Sequence, residues 1–146
     1  NYLAPSLLIS YCWSNFVKNR GKVINILSGA SVNPIEGWAA YCSTKAALNM
    51  INQQTHLEGN KYGISSIGIS PGMVDTEMQG KIRASGVNQI SKVKKEDLID
   101  TKKPGLFALW CASSEANQFS GEMISENEPR VKAKYQAWLK TQKQEL

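Results

Sequence analysis

Ligating residues are scarce in this sequence. One histidine, His56, and three cysteines, Cys12, Cys42 and Cys111, carry no paired spacing, which removes the common zinc patterns. An odd cysteine count also argues against a disulfide framework and for reduced thiols in a cytosolic setting. No apolar run reaches the roughly 20 residues of a membrane span, so no membrane role is expected. Missing too is any Gly-x-Gly-x-x-Gly or similar turn between a strand and a helix. These 146 residues therefore offer no backbone cradle for a pyrophosphate. Internal repeats and low-complexity tracts are absent.

What remains is an ordinary globular composition, 42% hydrophobic and 20% charged, with one domain's worth of chain. The net charge is +5, and its lysines cluster in Lys92–Lys103 and Arg130–Lys143. Nucleic-acid binding wants such charge interleaved with aromatics on one face. Only the C-terminal stretch approaches that, and a solvated helix face accounts for it. No nucleic-acid partner is expected.

Periodicity then divides the chain. Leu3, Leu7, Leu8, Tyr11, Cys12 and Phe16 recur at helical spacing, predicting a helix over 2–18 that Asn19-Arg20-Gly21 ends. Lys22–Leu27 reads as a buried parallel strand. A helix follows over 38–60, a second strand over 64–70, and a short helix over 75–83. Residues 84–103 are polar and poorly periodic, a loop or partly helical lid. Pro104–Ala112 is a helix, Gly121–Ser125 a third strand, and Arg130–Lys140 a final basic helix. Strand alternating with helix predicts an α/β fold with a parallel sheet flanked by helices.

The chemistry concentrates in Ser28 to Lys45. Ser28 ends the first strand, and Tyr41 and Lys45 sit one turn apart on the same face of the next helix. A lysine ammonium beside a phenol favours the phenolate. Such a tyrosine can pass a proton to a carbonyl oxygen, which a serine hydroxyl holds by hydrogen bond.

Asn1 stands 27 residues before Ser28, Ser28 stands 13 before Tyr41, and Ser70-Pro71-Gly72 follows the second strand. In those spacings and that order the chain resembles the short-chain dehydrogenase/reductase family from Asn1 to about Ser125. The resemblance implies a Rossmann-type sheet. Tyr41 would be the general acid, Lys45 would tune it and hold the nicotinamide ribose, and Ser28 would polarise the substrate carbonyl. Ser31 has the wrong spacing to Tyr41 for that last role. Asn1 would shape its helix and hold a water for proton relay. Pro71-Gly72-Met73-Val74-Asp75-Thr76 matches the family's loop on the nicotinamide: Pro71 and Gly72 form its turn, Val74 would offer backbone groups to the carboxamide, and Thr76 a hydroxyl near the pyrophosphate.

Within the family, Gly37 to Cys42 and Val74 to Gln79 resemble the sepiapterin and benzil reductase branch. That implies NADP(H), with NAD(H) not excluded, and a bulky carbonyl or vicinal dicarbonyl substrate lined by Trp38, Met73 and Met78. Ser125 and Glu126 stand where sepiapterin reductases place an aspartate, which puts pterin reduction in doubt. Family members often pair their two long helices, so a homodimer is expected. The glycine-rich turn belongs to the first half of this fold, and Asn1 matches a mid-domain position. Only the C-terminal half of the domain is therefore expected here, inactive by itself, the alternative being a split product that binds no cofactor.

Gly68-Ile69-Ser70-Pro71-Gly72 also satisfies the Gly-x-Ser-x-Gly elbow of serine hydrolases. Two facts oppose that reading. The residue after the serine must lend its N–H to an oxyanion, and Pro71 has none. The required histidine should follow the serine, yet His56 precedes it and is expected as an exposed helix residue.

Overall fold

The computed structural model describes residues 2–142; Asn1 and residues 143–146 lie outside the described residues. Three strands, β1 (Lys22–Ile26), β2 (Ser65–Ile69) and β3 (Met123–Ile124), pair in parallel in the order β1-β2-β3. Register runs from Lys22 opposite Ser65 to Ile26 opposite Ile69, and Gly68 faces Met123. Five helices accompany them: α1 (Leu3–Asn19), α2 (Ala39–Gly59), α3 (Glu77–Ser85), α4 (Lys102–Ala112) and α5 (Pro129–Gln142). This is the α/β arrangement that the alternating periodicities imply.

Local chemistry sets the boundaries. Helix α1 stops at Arg20, which takes a left-handed conformation before Gly21. Pro104 lies in the first turn of α4, where its missing N–H breaks no helical bond. Helix α3 opens at Glu77 and not at Asp75: Thr76 is extended, with φ −134° and ψ 163°, and Asp75 belongs to the bridge with Ile99, its N–H bonded to the Ile99 carbonyl. The third strand is two residues long, shorter than its apolar run predicts. A 3-10 segment at Ser114–Phe119 precedes it, which periodicity does not reveal.

Alternate residues of β1 and β2 point to opposite faces, and the two faces differ. On one, Ile67, Ile69 and Ile124 meet Phe107, Trp110 and Cys111 of α4 and Val131, Tyr135 and Trp138 of α5. Phe107 and Tyr135 meet edge to face at 5.2 Å. Lys22 reaches from β1 to the carbonyls of Cys111 and Ser113, fastening the C-terminus of α4 to the sheet. The other face carries Asn25, Ser66 and Gly68 beneath α2. Gly68 leaves room there for Leu27: a Cβ would lie 2.3 Å from Leu27 Cδ1 and displace it.

Helix α1 rests on α2 and buries no residue fully; Leu3, Leu7, Leu8 and Tyr11 are all exposed. Among the described residues, β1 has a neighbouring strand on one side only, and Ile26 is half exposed. All three cysteines are free thiols, and burial pushes that of Cys111 up to about 12. No described helix is long and apolar enough to cross a membrane.

Candidate active site

Ser28 leaves β1 in an extended conformation, and its Oγ accepts the Ala30 N–H at 3.2 Å, starting a single 3-10 turn. That bond uses a lone pair and leaves the hydroxyl hydrogen free, since Ser28 Oγ donates to nothing among the described residues. Ser31 has no such freedom. It is buried, and its Oγ donates to the Ser28 carbonyl at 2.7 Å, with Met123 Sδ at 3.5 Å.

The loop after this turn returns to α2 at Trp38, whose ring stands edge-on to Tyr41 at 5.4 Å. Tyr41 is half-buried, and its hydroxyl makes no hydrogen bond among the described residues. One turn on, Lys45 is buried. Its Nζ sits 5.8 Å from the Tyr41 ring centre and donates to the Ile26 carbonyl at 2.6 Å. Burial lowers its pKa below the usual lysine value, because a desolvated ammonium is disfavoured. Ile26 is two residues before Ser28, so that one bond brings the helix pair against the end of β1.

Pro71-Gly72 ends the neighbouring strand β2. Gly72 has φ +78°, and a Cβ there would come within 2.9 Å of Ile99 Cδ1. Beyond it, Val74 forms an isolated parallel bridge with Ile99, made by Ile99 N–H to the Met73 carbonyl and Asp75 N–H to the Ile99 carbonyl. Val74's own N–H and C=O enter no hydrogen bond among the described residues. One donor and one acceptor on adjacent main-chain groups fit a carboxamide. Thr76 precedes α3 in extended conformation with an exposed hydroxyl that makes no capping bond, which fits an anionic oxygen at a helix N-terminus. The chain's residues thus fit the nicotinamide end of a dinucleotide. Met73 and Met78 are both exposed, so neither serves the core. Asn1, named with this group, lies outside the described residues.

The polar stretch after α3 is two short 3-10 turns, Gln89–Lys92 and Lys95–Asp97, folded back over the loop between β1 and α2. Asn88 Nδ2 donates to the Glu36 carbonyl at 2.8 Å, and Gly37 at φ +75° lies flush against Val87. Neither Asn88 nor Ile99 announces itself in the sequence, because each acts on main-chain groups far away along the chain.

His56 corrects an expectation. It is half-buried, not exposed: its Nδ1 lies 2.9 Å from Ser120 Oγ, and its ring closes on Gly121. The histidine is therefore engaged with Ser120, while the Ser70 N–H bonds to the Ile124 carbonyl as part of the sheet. No group of three or more metal-ligating side chains occurs among the described residues.

Comparison with known proteins adds a second line. Residues 1–86 match the profile of the short chain dehydrogenase family. Benzil reductase ((S)-benzoin forming) of Bacillus subtilis is 39% identical over 99 residues, 65% of this chain and 41% of that protein. Sepiapterin reductase of Bos taurus is 35% identical over 86 residues, 55% and 32% of the two chains. A crystal structure of a Saccharomyces cerevisiae short chain dehydrogenase/reductase superposes with TM-score 0.73 at 25% identity, covering 85% of this chain and 53% of that one. The chain thus spans about two fifths of the length of the Bacillus subtilis relative it matches.

Proposed function

The chain belongs to the short-chain dehydrogenase family, and on that premise we propose that the full-length protein is a nicotinamide-dependent carbonyl reductase. Its substrate class is an aromatic ketone or vicinal dicarbonyl, and its cofactor NADP(H) in preference to NAD(H). One observation carries the reading: Lys45, beside Tyr41, is seated on the Ile26 carbonyl next to Ser28. The similarity to benzil reductase supports the substrate class.

In this mechanism the free hydroxyl hydrogen of Ser28 bonds to the substrate carbonyl oxygen and fixes its position. Tyr41 delivers a proton to that oxygen. The Lys45 ammonium favours the negative charge left on the phenol oxygen and offers its remaining hydrogens to ribose hydroxyls. Val74 main-chain groups and the Thr76 hydroxyl hold the carboxamide and a phosphate oxygen, with Gly72 allowing the backbone close approach. When bound, the reduced nicotinamide supplies a hydride to the carbonyl carbon. Trp38, Met73 and Met78 line the apolar side of the substrate.

Residues 1–146 are proposed as the C-terminal part of one domain, with the phosphate-cradling glycines in a segment before Asn1. By that reading this chain alone is inactive. The exposed apolar face of α1, Leu3, Leu7, Leu8 and Tyr11, supports a homodimer built on α1 and α2; light scattering giving a monomer at micromolar concentration would refute it. The free thiols support a cytosolic setting.

The deciding experiment measures dicarbonyl reduction by the full-length protein and its Tyr41→Phe variant. The variant should lose about 100- to 10,000-fold in turnover while keeping its melting temperature. A variant with near-normal turnover sinks the mechanism. As a control, the 146-residue chain should show no saturable NADPH fluorescence response, and micromolar saturation would overturn the proposed division of the domain.

A further inference from the structure

Helix α2 carries a polar residue that no step of the proposed mechanism uses. Asn52 is completely buried and makes three hydrogen bonds to three different parts of the fold. Its Oδ1 accepts from Asn25 Nδ2 of β1 at 3.1 Å and from Ser66 Oγ of β2 at 2.9 Å. Its Nδ2 donates to the Glu122 carbonyl, just before β3, at 3.1 Å. Asn25 and Ser66 also approach each other at 3.4 Å, so the cluster is closed. Burial of an amide does not by itself produce this: Asn49, on the same helix and nearly as buried, leaves its Oδ1 without a partner.

Position on the helix gives the cluster its consequence. Asn52 follows Lys45 by seven residues and Tyr41 by eleven. At about 100° per residue all three fall within roughly 40° on the sheet-facing side. The helix is therefore fastened to β1 at two points two turns apart, on successive residues: Lys45 on the Ile26 carbonyl and Asn52 on the Asn25 side chain. Apolar contacts alone would permit α2 to slide or roll by a fraction of an ångström, whereas three directional bonds, to β1, to β2 and to the residue before β3, hold it to one rotation and one depth.

We infer that Asn52 is a positioning residue for Tyr41 and Lys45, fixing the rotation of α2 so that the pair faces the end of β1. This rests on the reductase reading for its kinetic consequence and not for its geometry. Asn52→Leu keeps the branched shape in a somewhat larger side chain and removes all three bonds, leaving Asn25 Nδ2 and Ser66 Oγ with only each other at 3.4 Å and the Glu122 carbonyl with only the Gly68 N–H, so nothing polar then fixes this turn of α2 on the sheet. Ser66→Ala removes one of the three Asn52 bonds, together with the 3.4 Å contact from Asn25, and perturbs the fold less.

Both variants are made in the full-length protein and assayed for dicarbonyl reduction with NADPH, with melting temperature, the pH profile of kcat and a crystal structure of each. The expected result is a kcat reduced about ten- to a hundred-fold for Asn52→Leu and less for Ser66→Ala. The KM values should stay near wild type, the pH profile should be displaced, and the Lys45–Ile26 hydrogen bond should be lengthened or lost. A lower melting temperature with unchanged kcat and pH profile would make Asn52 a structural residue only and overturn the inference. So would reduced kcat with the Lys45–Ile26 bond intact. If Asn52→Leu does not fold, Ser66→Ala decides by the same criteria. A wild-type protein that reduces no dicarbonyl refutes the reductase reading, and the displacement of Lys45 then measures the pin by itself.

Discussion

Lys45→Met replaces a residue that is 7% exposed and whose ammonium donates a 2.6 Å bond to the Ile26 carbonyl. Two effects on stability oppose each other. Loss of a charge-assisted hydrogen bond costs about 1.5–3 kcal/mol. Against that, the folded protein no longer shelters a charge whose burial already lowers its pKa, and methionine fills the same slot with a flexible apolar chain. The two largely offset, so stability near neutral pH should change by less than about 1.5 kcal/mol. Activity has no such compensation, since the ammonium beside Tyr41 is lost outright, and turnover should fall at least about 100-fold. The pH dependence carries a sign. The folded-state pKa of Lys45 lies below its ordinary 10.5, so between those values the unfolded chain binds more protons than the folded one. Wild-type stability relative to the variant therefore rises as pH climbs through that interval towards 10.5, and is lost as pH falls through the folded value. Urea unfolding of both proteins at a series of pH values, beside steady-state kinetics, tests all three statements. A loss above about 3 kcal/mol at neutral pH, a stability difference that shrinks with rising pH, or near wild-type turnover would refute the reasoning.

Gly68→Ala places a Cβ 2.3 Å from Leu27 Cδ1 and 3.3 Å from the Glu122 carbonyl, so the buried Leu27 side chain must move to admit it. Denaturant unfolding should show a loss of about 1–3 kcal/mol, and, because Leu27 adjoins Ser28, a fall in kcat as well. Trp110→Ala empties the centre of the aromatic cluster, where the indole is wholly buried between Phe107, Phe119 and Tyr135. The expected loss is about 3–5 kcal/mol by the same unfolding measurement; an effect below about 1 kcal/mol would show that the α4–α5 layer is not close-packed.

The sequence by itself determined what depends on neighbours along the chain. Helical spacing in 3–16, the apolar run 22–27 and the turn at Pro71-Gly72 specify their elements because side-chain periodicity and backbone restriction act locally. Tyr41 and Lys45 share a face by helix geometry alone, and Ser28 ends a strand that its own residues form. Only the tertiary structure decided the rest, because those features join residues far apart. The Lys45 ammonium lies on the Ile26 carbonyl, a main-chain acceptor that any residue at 26 would supply. Val74 is aligned by Ile99, and the stretch after α3 is held by Asn88 on Glu36, 52 positions away. His56 reads as a surface residue until Ser120 closes over it, and nothing in the sequence singles out Asn52, on which Asn25, Ser66 and Glu122 converge. A polar side chain's partners are chosen by the folded surface around it. Burial, which turns such partners from optional to necessary, exists only once the sheet and its helices have come together.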